Sequence, residues 1–315
     1  MVRNKLLQES LSFYNSSMPS MHNILFSIKG LTKCAIGIAR RVISDNTKKK
    51  YNLGIVAIAK NEEDYIKEWV AFHKVVGFDK IILYDNDSTD SMVEEIKPFI
   101  EDGYVIYNEI HGAIQQLNAY NDALKKYGKQ FKYLAFIDCD EFLFPVDPHE
   151  TVLSVIEKTI KKDRLAGGIC VNWAMFGSSG HETKPDGLLI DNFIWRAELS
   201  KPGTNCIKTI CNPDLVVKFS HPHYPIYKKG IYAITPKGNR WSGWNNPIIE
   251  YVGLRNNHYF CKSKEQWIKR RKYDVMSATG VRTLEDFYHH DNNDILDKDI
   301  LRYREDLCRI MEKYK

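Results

Sequence analysis

FIDCDEFLFP, residues 136–145, sets three carboxylates within four positions directly behind an apolar run. Asp138, Asp140 and Glu141 repel one another at that range, so the cluster needs a cation or a wet edge. The run that leads into it, YLAFI at 133–137, is short, apolar and rich in strand formers, and reads as a buried strand. Asp138 and Asp140 flank a single residue, so in an extended chain both side chains leave on the same side. Two carboxylates so placed suit a hard divalent cation, Mg2+ or Mn2+, which commonly keeps waters and bridges to a substrate diphosphate. Cys139 then turns the other way into the sheet and Glu141 is a spare carboxylate. Phe142, Leu143 and Phe144 return to the core, and Pro145 ends the element. The plain alternative is an acidic turn after a strand. The place of the cluster along the chain favours the cation.

Outward from this stretch the pattern alternates. LGIVAIA at 53–59 is a first buried strand, KIILY at 80–84 a second, residues 104–107 a third and 133–137 the fourth. Asn61 caps a helix beginning NEEDYIKEW, with Ile66, Trp69, Val70 and His73 on one face and Gly77 as its stop. Ser91 and Glu94 form a capping box for the next helix. A third helix covers about 114–127. Such alternation predicts an α/β fold, an open, mostly parallel sheet covered by helices, with ligands beyond the carboxyl ends of the strands. The unusual polar loops lie at those ends: AKNEE, DNDSTD and DCDE. The second half is less regular. Residues 169–173, 207–211 and 215–219 read as strands, 221–244 as loops, and 265–271 as the start of a helix. Residues 296–315 read as an amphipathic helix with Ile300, Tyr303, Leu307, Ile310 and Tyr314 inward.

The chain has 315 residues, with 43% hydrophobic and 27% charged, values of a globular protein with a substantial core. A net charge of +5 is too mild to argue for nucleic acid, and none is expected as a partner. Seven cysteines, an odd number with no CxxC pair, exclude a disulfide framework or zinc ribbon and point to a reducing, cytoplasmic setting. Neither a membrane-spanning run nor a secretion signal is expected. Residues 1–50 form an arm. Ile24, Ile28, Leu31, Ala35, Ile38 and Val42 recur at helical spacing among Lys29, Lys33, Arg40 and Arg41. Such a helix docks on the main domain or makes peripheral contact with a membrane through 24–43. Gly30 and Gly37 weaken it in either role, and NTKKK at 46–50 reads as a linker.

IAKNE at 58–62, YDNDSTD at 84–90, QQLNAYN at 115–121 and FIDCDEFLFP together resemble a GT-A fold glycosyltransferase, of the family 2-like and family 92 group. NWAMFGSSGH at 172–181 and NHYFCKSKEQW at 257–267 resemble that group as well. The resemblance covers roughly 53–275. It implies a catalytic domain at 51–275 with a nucleotide half (51–145) and an acceptor half (146–275); the arm at 1–50 lies outside it, and the helical segment at 276–315 is only loosely covered.

The resemblance further implies a metal-dependent, inverting enzyme of hexosyltransferase type. It would move a sugar from a nucleotide-sugar, expected to be UDP-linked, to a glycan or glycolipid acceptor in the synthesis of lipopolysaccharide or another surface glycan. The enzyme would work on the cytoplasmic face of the membrane. Lys60, Asn61 and Glu62, with Asp85, Asn86 and Asp87, would hold the nucleotide together with Asp138 and the Asn118–Asn121 pair, three apart on one helical face. Asp138 and Asp140 would hold Mn2+ or Mg2+, completed by His258 or His223. Gly177, Ser178, Ser179 and Gly180 offer close backbone approach to sugar or diphosphate. Inversion needs a general base, with Glu182, His181, Asp186 and Glu141 as candidates. Trp241 and Trp244 offer broad apolar faces to acceptor rings. Two other readings stand beside this one. One is a Mg2+-dependent phosphatase or phosphotransferase using the DxD as a nucleophile loop, and the other is a carbohydrate-binding protein without turnover.

Overall fold

Seven consecutive buried residues, 53–59, require cover on both faces of the strand that carries them. The computed structural model describes residues 21–45, 47–270 and 282–315, with backbone alone for 21–28. A helix, α1 (Met21–Asp45), precedes that strand, β1 (Tyr51–Ala59). Three strands follow: β2 (Lys80–Asp85), β3 (Val105–Glu109) and β4 (Phe131–Phe136). They pair in parallel in the order β4-β1-β2-β3. The helices between them are α2 (Ile66–Val75), α3 (Met92–Glu101) and α4 (Gln116–Tyr127). The period-two alternation of β1 divides the core. Ile55, Ala57 and Ala59 pack with Trp69 and Phe72 of α2 and Ile96 and Phe99 of α3. Val56 and Ile58 pack with Ala119, Tyr120 and Ala123 of α4. Phe72 and Phe99 are fully buried, each contributing about 2–3 kcal/mol of transfer free energy. Gly54 lies under the Phe131 ring, where a Cβ would come within 2.5 Å of its Cε1.

Past β4 the sheet becomes mixed, as the irregular second half leads one to expect. β5 (Glu141–Pro145), α5 (Val152–Ile160) and β6 (Ala166–Met175) are followed by the short α6 (Leu189–Asn192) and β7 (Trp195–Arg196). β8 (Ile207–Cys211) then runs antiparallel between β4 and β6. β9 (Val216–Phe219) and β10 (Pro225–Tyr227) form a ribbon. β11 (Tyr232–Ile234) adds to the far edge of β6 and carries β12 (Arg240–Trp241). β13 (Leu254–His258) lies antiparallel to β5 and parallel to the end of β6. α7 (Lys264–Arg270), α8 (Leu284–His290), β14 (Ile295–Leu296) and α9 (Arg304–Lys313) complete the described chain. This is the expected open, mainly parallel sheet covered by helices, with a mixed second half.

Several local expectations are corrected. Asn61 does not cap α2. It sits at φ 55° and accepts the Thr89 N–H at 2.7 Å, and α2 begins at Ile66. Ser91 precedes α3 without a side-chain cap, because its hydroxyl donates to Glu63 Oε2 at 2.8 Å. The C-terminal helix proper starts at Arg304, after a 3-10 turn at Asp299–Tyr303. Its inward residues are as expected, with Tyr314 stacked on Phe99 at 4.0 Å. The linker is tied down where it is described: Lys49 pairs with Asp214 at 2.7 Å and Lys50 N–H donates to Gln130 O. Residue 46 and the first 20 residues of the arm lie outside the described residues, as do the side chains of Ile24 and Ile28.

The arm docks by an unexpected side. Gly37 meets the turn at Gly230, where a Cβ on Gly37 would lie 2.5 Å from Gly230 O. Arg41 donates to Ala166 O at 2.6 Å, and Asn212 donates to Ser44 Oγ at 2.7 Å. The apolar stripe therefore faces away: Leu31 is 71% exposed and Val42 53%. Among the described residues no helix is long and apolar enough to cross a membrane.

Candidate active site

The end of β4 and the pairing of β5 with β13 assemble the site. The DxD follows β4, and Glu141, the first residue of β5, lies in register with His258, the last of β13. His258 also pairs with Met175 of β6, which brings the Trp173 ring to 4.2 Å from the His258 ring. Tyr259 N–H donates to Asp140 O, and Trp69 Nε1 donates to Glu141 O at 2.7 Å, so the turn is fixed from both sides. Cys139 is buried with its thiol toward Ile58 O, as alternation requires. A cleft of about 290 Å3 opens over this turn, with Glu62, Gln116, His223, Arg270 and Arg282 among its walls.

The two aspartates have different company. Asp138 Oδ2 lies 2.9 Å from Lys208 Nζ, and its Oδ1 accepts from Gln116 Nε2 at 2.7 Å. Burial opposes its charge, but the Lys208 ammonium outweighs that and holds the carboxyl below its usual range. Asp140 Oδ1 lies 3.3 Å from His258 Nε2, and Oδ2 accepts from Arg270 at 3.2 Å. Here too burial opposes the charge, and His258 and Arg270 bring the carboxyl well below the usual range. Glu141 is fully buried and accepts from Asn256 Nδ2 at 2.6 Å. Burial pushes its carboxyl well above the ordinary value. Lys208 is 2% exposed and 3.3 Å from Glu141 Oε1. Burial favours its neutral form, but Asp138 and Glu141 more than offset that and keep it charged.

The donor set fits a hard divalent cation. Asp140, Glu141 and His258 present ligand atoms all within 4.8 Å of one another. The 3.3 Å between Asp140 Oδ1 and His258 Nε2 is close to the about 3 Å edge of an octahedron with ligands at about 2.1 Å. Two cations line the same cleft. Arg270 pairs with Asp140 and Glu62. Arg282 lies over the Phe260 and Trp267 rings, and among the described residues no carboxylate is within ion-pair distance of it. Burial, reinforced by Arg270, depresses its guanidinium to about 10. Arg282 is half-buried; an unpaired cation partly withdrawn from water is costly, and an anion entering the cleft relieves that cost.

The loops after β1 and β2 are joined to one another. Besides Asn61 to Thr89, Glu63 N–H donates to Asp90 Oδ2 at 3.0 Å. Asp85 accepts from Tyr107 OH at 2.7 Å and from Ser88 N–H, and Asn86 donates to Ile110 O and Gly112 O. Asn61, Asp85 and Asn86 are thus committed to loop structure. Glu62 lines the cleft and is bound by Lys262 at 2.8 Å. Asp87 is exposed at φ 57°, 2.6 Å from His111 Nδ1. Lys60 is half-buried beside that loop.

Other candidates lie elsewhere. Glu182 has a 76% exposed side chain paired with Lys264 at 3.2 Å. His181 Nε2 is 3.3 Å from Asn192 O, and Asp186 is exposed. None of these three lines the DxD cleft. The 177–180 loop is pinned to the 291–293 segment, with Ser178 N–H on Asp291 and Ser179 N–H on Asn293. Asn118 donates to Gln115 on the surface, and Asn121 donates to Leu117 O and exchanges a pair of hydrogen bonds with the Phe219 backbone. The residue of α4 that does enter the cleft is Gln116. His223 lines the cleft but sits outside the Asp140–Glu141–His258 group. Its Nδ1 is 2.8 Å from Ile207 O, and burial lowers its imidazole to about 3, so it stays neutral. Trp244 is exposed beside a neighbouring groove, and the Trp241 carbonyl accepts from Tyr224 OH at 3.1 Å. Sequence reading passed over Arg270 and Arg282, whereas Gln116 lies in the QQLNAYN stretch that it singled out. Lys208 is legible as a cation inside a strand, able to counter a phosphate, but not as the partner of Asp138.

The profile of glycosyltransferase family 92 matches residues 56–310. The chain is 24% identical over 242 residues to an Arabidopsis thaliana family 92 protein, covering 71% of this chain and 41% of that one. A family 92 protein of Oryza sativa subsp. japonica is 22% identical over 56% of this chain and 30% of its own length. The chain therefore spans less than half the length of either relative. Among solved structures, S. aureus TarS 1-349 in complex with UDP superposes with a TM-score of 0.35 at 15% identity, over 52% of this chain and 47% of that one. Glucosyl-3-phosphoglycerate synthase from Mycobacterium tuberculosis gives a TM-score of 0.29 at 17% identity, over 43% and 48%. With its profile matched over most of its length, the chain belongs to glycosyltransferase family 92.

Proposed function

We propose that this protein is a metal-dependent glycosyltransferase that transfers a sugar from a UDP-sugar to a saccharide hydroxyl with inversion. The observation that carries the reading is the convergence of Asp140 and His258, 3.3 Å apart, with two arginines in one cleft beyond the carboxyl end of β4. The acceptor oxygen attacks the anomeric carbon as the bond to the diphosphate breaks on the opposite face, and the acceptor proton passes to a base. Asp140 and His258, with Glu141 beside them, would hold Mn2+ or Mg2+, whose chemistry is to stabilise charge on the departing diphosphate. Arg270 and Arg282 offer that diphosphate hydrogen-bond donors that need no reorganisation. Gln116 and Lys208 fix the Asp138 carboxylate. Lys60, Glu62 and Asp87 remain the groups of the first two loops able to meet the nucleotide. The relatives compared are plant proteins, so a role in lipopolysaccharide draws no support from them, and the acceptor class we propose is a saccharide.

The outward apolar stripe of α1, with flanking cations, supports peripheral contact with an anionic membrane surface. All seven cysteines are free, as suits a reducing compartment.

Calorimetric titration with UDP, with and without Mn2+, tests the catalytic reading. UDP should bind more tightly in the presence of Mn2+, and Asp140→Asn should remove the metal-dependent part, at least about tenfold. Wild-type binding of UDP that ignores the metal would sink the proposal.

A further inference from the structure

α1 and the turn at Gly230 enclose a basic recess of about 530 Å3. Its cations are Lys33 of α1, Lys228 and Lys229 of the turn, and Arg240 of β12. Among the described residues none of the four has a carboxylate within ion-pair distance. Asp163, which touches the recess through Tyr232, is already engaged by the Tyr232 hydroxyl at 2.6 Å and the Leu165 N–H at 2.8 Å. The cations are held together by backbone contact. Gly230 sits at φ 88°, and a Cβ there would lie 2.3 Å from Lys33 O. Arg40 also clamps the turn, donating to Lys229 O at 2.6 Å. Like charges gathered this way repel unless an anion sits among them.

The recess adjoins a groove of about 400 Å3, with which it shares Tyr227, Ile231, Tyr232 and Arg240. Trp244, 47% exposed, stacks against His221 at the wall of this groove, and Tyr224 stands beside it. The 221–225 segment separates groove from cleft: Pro222 and His223 face the cleft, and His221 and Tyr224 face the groove. The cleft and the groove thus lie on the two sides of one short segment, with the basic recess beyond the groove beside α1.

We infer that the groove and recess together form the acceptor subsite for a saccharide bearing a phosphate group. Its sugar rings stack on Trp244 and Tyr224, and its phosphate sits among Lys33, Lys228, Lys229 and Arg240. The inference rests on the glycosyltransferase reading and names the substrate class of that site. The Arg240 fork matches two phosphate oxygens, the ammonium groups add charge, and aromatic faces suit sugar rings. The donor diphosphate has its own cations in Arg270 and Arg282.

Titration of the full chain with glucose 1-phosphate and with glucose, at low ionic strength, tests this. The phosphate ester should bind and glucose should not. Lys228→Glu with Lys229→Glu should weaken the ester at least about tenfold, the worth of one lost charge-assisted contact. Lys97→Glu, a charge reversal elsewhere on the surface, should leave it unchanged. UDP with Mn2+ should bind the reversed variant as it binds wild type, which also shows that the variant is folded. Competition by phosphatidylglycerol vesicles would assign the phosphate to a lipid carrier, and lack of competition to a soluble saccharide phosphate; either supports the site. Glucose 1-phosphate binding that is absent, or indifferent to the reversal, overturns the inference while metal-dependent UDP binding persists. Loss of only the latter in wild type would overturn the glycosyltransferase reading instead.

Discussion

Lys208→Met removes the ammonium that faces both Asp138 and Glu141. At 2.9 Å and an effective dielectric of about 20, the pair with Asp138 has a Coulomb energy of about 6 kcal/mol. Much of that is offset by burying the ions, because Lys208 is 2% exposed. The offset does not return on mutation: Glu141 stays fully buried and Asp138 half-buried, so the variant should lose about 3 kcal/mol, the low end for a broken buried pair. Asp138→Asn in the Lys208→Met background removes the stranded charge, and the two changes should be non-additive by about 2–3 kcal/mol. Urea unfolding at pH 7 in the presence of chelator measures both. The pH dependence has a definite sign. Asp138 titrates lower in the folded than in the unfolded chain, so its stabilisation is present above about 3.9 and is lost as pH falls through the lower folded value. Without Lys208, burial raises Asp138 as it already raises Glu141, so the gap between wild type and variant should close in acid. A gap below about 1 kcal/mol at pH 7, additivity within about 0.5 kcal/mol, or an undiminished gap in acid would refute the reasoning.

Two further outcomes follow from placements in the structure. Glu182→Gln should leave the transfer rate within about twofold, because Glu182 is exposed and outside the cleft; a loss of about a hundredfold or more would restore it as the base. His73 is fully buried, and burial lowers its imidazole to about 3. The unfolded chain therefore binds the extra proton below about 6.5, and stability should fall by up to about 4 kcal/mol as pH drops from about 6.5 to 3. His73→Gln should remove most of that slope in urea midpoints measured across the range, and an unchanged slope would exclude His73 as its source.

The sequence by itself determined the sheet and the DxD, because both are local. A strand buried on both faces must be apolar at consecutive positions, and 53–59 shows this directly. Asp138 and Asp140 share a side because they are two residues apart in one extended stretch. The remainder of the site depends on register between distant strands. His258 meets Asp140 only because β13 pairs antiparallel with β5, and nothing within NHYF announces that partner. Lys208 reaches Asp138 because β8 inserts antiparallel between β4 and β6. Gln116, rather than Asn118 or Asn121, enters the cleft because of how α4 is rotated on the sheet. Helical spacing found the apolar stripe of α1 but not which side would dock. That was decided by Gly37 and Gly230, whose missing Cβ atoms allow backbone to meet backbone, so the small side turns inward and Leu31 and Val42 turn out. Periodicity is a property of one segment, whereas register, rotation and close approach are properties of pairs of segments, and the tertiary structure alone fixed them.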